Sequence, residues 1–117
     1  MATIKAYTDI SQAKKLAEIL PLESADMCYY EYTSHIDGTP KVGYKEGVTE
    51  GIPCWSLATL FCVIPGGQVN RMDNSNKWEA SSWNEEGFEL VYFVEDYDNP
   101  VDACYDLILK LHEFNLL

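Results

Sequence analysis

Ile10, Ala13, Leu16, Ala17 and Leu20 recur at the three-and-four spacing of one helical face, while Gln12, Lys14, Lys15 and Glu18 fall opposite. Asp9, with Gln12 three residues on, has the form of a capping box, and Pro21 ends the pattern, so a helix is predicted from Asp9 to Leu20. From Met27 to Tyr32 the residues suit a strand, Asp37-Gly38 before Pro40 marks a reversal, and Val42 to Tyr44 returns as its partner. Pro53 to Ile64 is the most apolar stretch. Its length, Ser56 as a cap and the Pro65-Gly66-Gly67 stop predict a short, nearly enveloped helix.

Met72 to Asn76 reads as a turn or loop, Lys77 to Trp83 alternates, and Asn84-Glu85-Glu86-Gly87 turns the chain. Phe88 to Glu95 follows, apolar on both faces at Leu90, Val91, Tyr92, Phe93 and Val94, which predicts a central strand covered above and below. The last helix opens with Asn99 as cap, Pro100 at the first helical position and Asp102 three residues after the cap. Val101, Cys104, Tyr105, Ile108, Leu111 and His112 define its buried face, widened by Leu107 and Phe114, and Asp106 and Lys110 stand at i,i+4. The predicted order is α-β-β-α-β-β-α, an α+β fold with an antiparallel sheet of about four strands in two hairpins and three helices. Residues 1–117 read as a single domain, a length that supports one core.

Charge narrows the partners. Lys+Arg number 8 against 19 Asp+Glu, a formal charge of −11. Such a surface repels phosphate backbones and anionic headgroups, so neither direct nucleic-acid binding nor membrane docking is expected. From Asp73 onward eleven acids face only Lys77 and Lys110, so the acidity belongs mainly to the last third. No apolar run reaches the roughly 18 residues of a membrane span, and Met1 to Lys5 leads into a polar helix, which predicts a cytoplasmic protein. In that compartment the four cysteines, Cys28, Cys54, Cys62 and Cys104, are expected reduced and mostly buried.

Tests for chemistry return structural answers. Cys104 and His112 lie eight residues apart on one helix, about 12 Å at ~1.5 Å per residue, too far for a nucleophile and its base. His112 then reads as a core-edge residue and His35 as a loop residue. The acidic run Glu95, Asp96, Asp98, Asp102 and Asp106 fails as a calcium loop, because Val101 and Leu107 stand where glycine and a bidentate glutamate belong. No catalytic, cofactor or metal residue is assigned. The aromatics pose the open question. Trp78 and Trp83 are either partner anchors on the outer face of an edge hairpin or cover for the core. Leu109, among the polar positions of the last helix, joins Leu116 and Leu117 as a candidate contact.

Three stretches, AKKLAEILPLESADMCYY (13–30), PCWSLATLFCVIP (53–65) and NPVDACYDLILKLHEFNLL (99–117), together resemble a group of small uncharacterised proteins of gut Bacteroides-type bacteria and their phages or mobile elements. The resemblance covers nearly half the chain and is strongest in the last stretch. It implies a bacterial, intracellular, phage-associated origin and transfers no activity or site residue. The expected function is a non-enzymatic accessory module acting through an unknown protein partner or self-association. A sharper form is an acidic decoy of nucleic acid. The alternative is a small-molecule binder or enzyme with an aromatic-lined pocket walled by Tyr30, Tyr44, Trp55 or Tyr92.

Overall fold

The computed structural model describes residues 5–33, 40–44, 51–73, 75–84, 86 and 88–117, without the side chains of 30–33, 40, 41 and 44. The predicted Asp37-Gly38 turn, His35 and the side chains of Tyr30, Tyr32 and Tyr44 lie outside the described residues. Helix α1 (Ile10–Ala17) opens with the predicted capping box. Gln12 N–H donates to the Asp9 carboxylate at 2.8 Å, and Asp9 N–H donates to the Gln12 side chain at 3.1 Å. The helix ends three residues short of Leu20, which is still buried, and a 3-10 turn (Leu22–Ser24) follows Pro21.

Among the described residues, six strands in two sheets replace the expected four in one. β1 (Met27–Thr33) pairs antiparallel with β2 (Pro40–Tyr44) on one side and β3 (Ile52–Cys54) on the other. β3 occupies the start of the apolar stretch read as helix. Pro53 is tolerated there because β3 is the last strand of its sheet, where a missing N–H breaks no inner ladder. Beside it the chain entering α1 runs antiparallel, Thr8 N–H donating to Trp55 O at 3.0 Å and Leu57 N–H to Ala6 O at 3.0 Å. The expected helix is α2 (Leu57–Val63), capped by Ser56 as predicted.

The second sheet has the order β4-β5-β6, from β4 (Gly67–Arg71), β5 (Trp78–Asn84) and β6 (Glu89–Tyr97), all antiparallel. β6 is therefore an edge strand and not the central one. One of its faces meets α3 (Pro100–Glu113), through Tyr92, Val94 and Tyr97. The other is open: Leu90 and Phe93 are 45% and 47% exposed.

Helix α3 keeps its predicted cap, Asp102 N–H donating to the Asn99 side chain at 2.8 Å, and buries Val101, Ala103, Cys104, Leu107, Ile108 and Leu111. His112 and Phe114 are exposed, so the predicted apolar face is narrower at its carboxyl end. Lys110 pairs with Glu113 at 3.8 Å instead of with Asp106, which accepts a hydrogen bond from the Tyr97 hydroxyl. One continuous core joins α1, β1, β3, α2, β5 and α3, with Trp55 wholly buried within it. No described helix is long and apolar enough to cross a membrane.

Candidate interaction surface

Alternation along β5 sorts the two tryptophans. Trp78, Ala80 and Ser82 point toward α3, where Ala80 and Ser82 are buried; Glu79, Ser81 and Trp83 point to the opposite side. An odd separation of five residues thus divides the pair expected to act together. β5 is also the middle strand, so Trp83 stands at the centre of the sheet's outer face rather than on an edge hairpin. Its indole N–H donates to Ser81 Oγ at 2.9 Å, fixing the ring against the sheet.

The neighbours of Trp83 come from the flanking strands by register. On β6, Leu90 lies opposite Trp83 and Phe93 opposite Ser81; on β4, Gln68 lies opposite Ser81 and Asn70 opposite Glu79. Leu90 and Phe93 are three apart and should face opposite ways on a regular strand. The register shift between Ser82 and Trp83 leaves Val91 without a partner, and this bulge turns both outward. A second shift sets Glu95 and Asp96 against Glu79, with Asp96 at φ 73, and returns Tyr97 to the helix side. The result is a shallow concavity of about 240 Å³ floored by Ser81, Trp83, Leu90 and Phe93.

A larger groove of about 700 Å³ continues from it around Trp83 and Gln68 toward α2 and the β5–β6 turn. Phe61 (43% exposed) and Phe88 (86% exposed) form its walls. Gly66 forms part of its floor. At φ 56 it lies in the left-handed region, and its Cα approaches so closely that an added Cβ would sit 2.1 Å from Trp83 O. Its own carbonyl accepts from Trp83 N–H at 3.2 Å, so this glycine sets the height of the tryptophan strand against the α2 turn. Phe88, also left-handed at φ 52, holds a bulky ring in a conformation that favours glycine.

Leu109 does not belong to this surface. It is half-buried in a separate groove between α1 and α3, beside Lys15, Ile19 and His112, which shares no lining residue with the tryptophan face. Leu116 and Leu117 are exposed and do not line that groove. Sequence reasoning missed Phe61, Phe88, Leu90 and Phe93. The signal for Leu90 and Phe93 was present in the two apolar faces of their strand, each of which needs a cover.

The described titratable groups serve the frame. Cys28, Cys54 and Cys104 are buried free thiols and Cys62 is exposed, in keeping with the expectation of mostly buried cysteines. Burial pushes Cys104 up to about 12. Burial also raises Cys54, whose Sγ lies 3.5 Å from the Thr8 hydroxyl. The Tyr29 hydroxyl donates to Thr8 O at 2.6 Å, and burial, followed by the nearby Cys54, drives its pKa upward. Cys62 lines the larger groove, whose other described lining residues include no acid, base or thiol. Trp55, one of the walls expected for an aromatic pocket, is in the core with its indole N–H donating to Ser24 Oγ at 3.0 Å. Tyr92 is half-buried, its ring 5.4 Å from that of Phe114. Among the described residues no three histidines, cysteines or carboxylates gather as a metal site. Compared with known proteins, the chain matches no family model, no curated protein and no solved structure.

Proposed function

We propose that this protein is a non-enzymatic interaction module that presents the outer face of its second sheet to another protein. The observation that carries the reading is the uncovered aromatic centre, Trp83 flanked by Leu90 and Phe93 and continued by Phe61 and Phe88. Large side chains at the middle of a sheet are ordinarily buried, and contiguous exposed apolar surface on a small domain marks contact sites. Tryptophan in a pocket ringed by smaller contacts is the usual centre of binding energy. The larger groove has the volume of a ligand pocket, but its described lining offers the Gln68 and Asn84 amides and the Cys62 thiol and no charged side chain to orient a small molecule. The acidic-decoy version draws less support. Asp98 is paired with Lys77, Asp102 with Lys5, and Asp106 with Tyr97, so these carboxylates are turned to internal bonds.

Site-specific photo-crosslinking tests the reading. A photoreactive residue at Leu90 or Phe93, introduced in bacterial cells expressing the protein, is expected to give one discrete adduct. The same residue at Leu109 is expected to give none of that mass. Equal, diffuse labelling from all three positions would remove the face from consideration.

A further inference from the structure

We infer that the occupant of this face is a cationic amphipathic helix of another protein, an inference that rests on the interaction reading above. Width comes first. Three strands at roughly 4.8 Å spacing make a face about 10 Å across between its outer strands, the diameter of one α-helix. α3 already covers the inner face, so a helix laid over Trp83 would complete a helix–sheet–helix sandwich.

Strand addition is the other way to use an open sheet, and the geometry of β6 opposes it. The two bulges, at Val91 and at Glu95–Asp96, interrupt its free edge, and within the second Asp96 holds a left-handed backbone. Such an edge cannot offer the continuous ladder a new strand needs. At the far side, β4 offers only five residues.

Charge decides the polar character of the helix. Among the described residues, Glu79 is the one charged side chain lining the concavity beside Trp83. Along the sequence from Gly67 to Tyr97 there are seven acids (Asp73, Glu79, Glu85, Glu86, Glu89, Glu95, Asp96) against Arg71 and Lys77. Arg71 donates to Ser75 O at 3.1 Å and to Asn76 Oδ1 at 3.4 Å, and Lys77 is held by Asp98. A second copy of this chain would bring the same Glu79 patch against itself, since a two-fold contact uses one surface twice. Like charges so placed disfavour pairing, whereas lysines or arginines flanking an apolar stripe would meet Glu79.

Three synthetic helical peptides with one apolar face, differing only in whether Lys, Gln or Glu fills the other, test this by calorimetry. The Lys peptide is expected to bind about tenfold or more tightly than the Gln peptide and to weaken in high salt, with the Glu peptide silent. Leu90→Ser/Phe93→Ser is expected to lose the Lys peptide, Glu79→Lys to weaken it about tenfold, and Leu109→Ser to leave it unchanged, each variant first shown to melt like the parent. Equal binding of the Lys and Gln peptides, both lost in Leu90→Ser/Phe93→Ser, would overturn the cationic assignment and leave the interaction surface standing. So would sedimentation showing a dimer that Phe93→Ser dissolves. Lys-peptide binding indifferent to Leu90→Ser/Phe93→Ser would show only diffuse attraction and overturn the inference. A monomer that binds none of the three overturns the inference and the interaction reading together.

Discussion

Two residues at φ near +55 show how local strain is distributed around Trp83. Gly66 is where the backbone requires glycine. An alanine there meets Trp83 O at 2.1 Å as well as the left-handed penalty. Gly66→Ala should cost about 2 kcal/mol or more, a fall in Tm of roughly 8 °C by thermal melt. A variant melting like the parent would mean that the Gly66–Trp83 contact is looser than described. Phe88 is the converse, a bulky residue at φ 52 with 86% of its surface exposed. Relief of its backbone should roughly balance the added freedom of the unfolded chain, so Phe88→Gly is expected within about 0.5 kcal/mol of the parent in denaturant unfolding. Since the ring contributes little to the fold, its role is as a groove wall, and a large loss of stability would contradict that.

At the scale of elements, the helices were legible and the second sheet was legible only in part. Asp9, Ser56 and Asn99 cap the helices expected of them, because capping is local and its residues lie three apart in sequence. β6 was recognised as a strand but misplaced as central, because its apolar residues face both ways and the bulges that re-aim Leu90 and Tyr97 have no compositional mark. β3 went unseen for the opposite reason. Three residues pairing with β1 make no periodic pattern, and their apolarity merges with that of α2. The surface followed the same divide: Trp83 was nominated, but its register-defined neighbours Leu90 and Phe93 were not.

Two carboxylates tie these elements together and set the acid limit. Asp102 accepts from Lys5 at 2.9 Å, Gln12 at 2.7 Å and Asn99 at 2.8 Å, joining the starts of α1 and α3. Asp26 accepts from Ser56 N–H at 2.9 Å and from its hydroxyl at 2.6 Å, joining β1 to α2. Burial alone would raise both, and the bonds from Lys5, Gln12 and Asn99, or from Ser56 and Thr59, outweigh it and hold both below the ordinary 3.8. A carboxyl lowered in the folded state binds fewer protons there than in the unfolded chain, so stability rises with pH across that interval. The contribution is present above the unfolded value near 3.8 and is lost as pH falls through the lower folded values. Denaturant unfolding of Asp26→Asn/Asp102→Asn should therefore show a flatter dependence between pH 5 and pH 2 and a loss of about 1–3 kcal/mol at neutral pH. An unchanged acid limb would show that other carboxylates govern it.

At the scale of the whole molecule, the two sheets share no hydrogen-bonded strand pair in the described residues, yet one set of buried side chains spans both. Tyr29 and Cys54 bring the first sheet to that set, Ala80 brings the second, and Leu107, Ile108 and Leu111 of α3 carry it across. An interior shared in this way should open all at once, because the loss of α3 uncovers the second sheet and breaches the one set of buried side chains that also holds the first. The cysteines report this without any added label. Cys62 is exposed, while Cys28 and Cys54 sit in the first sheet and Cys104 in α3. A thiol reagent at neutral pH should modify one cysteine of four quickly, Cys62→Ser should abolish that phase, and the other three should react together with the loss of tryptophan fluorescence in denaturant. Leu111→Ala, which empties a fully buried site on α3, should shift that joint transition by about 2–4 kcal/mol without splitting it. Separate reaction of Cys28 and Cys54 ahead of Cys104 would show instead that the first sheet opens by itself.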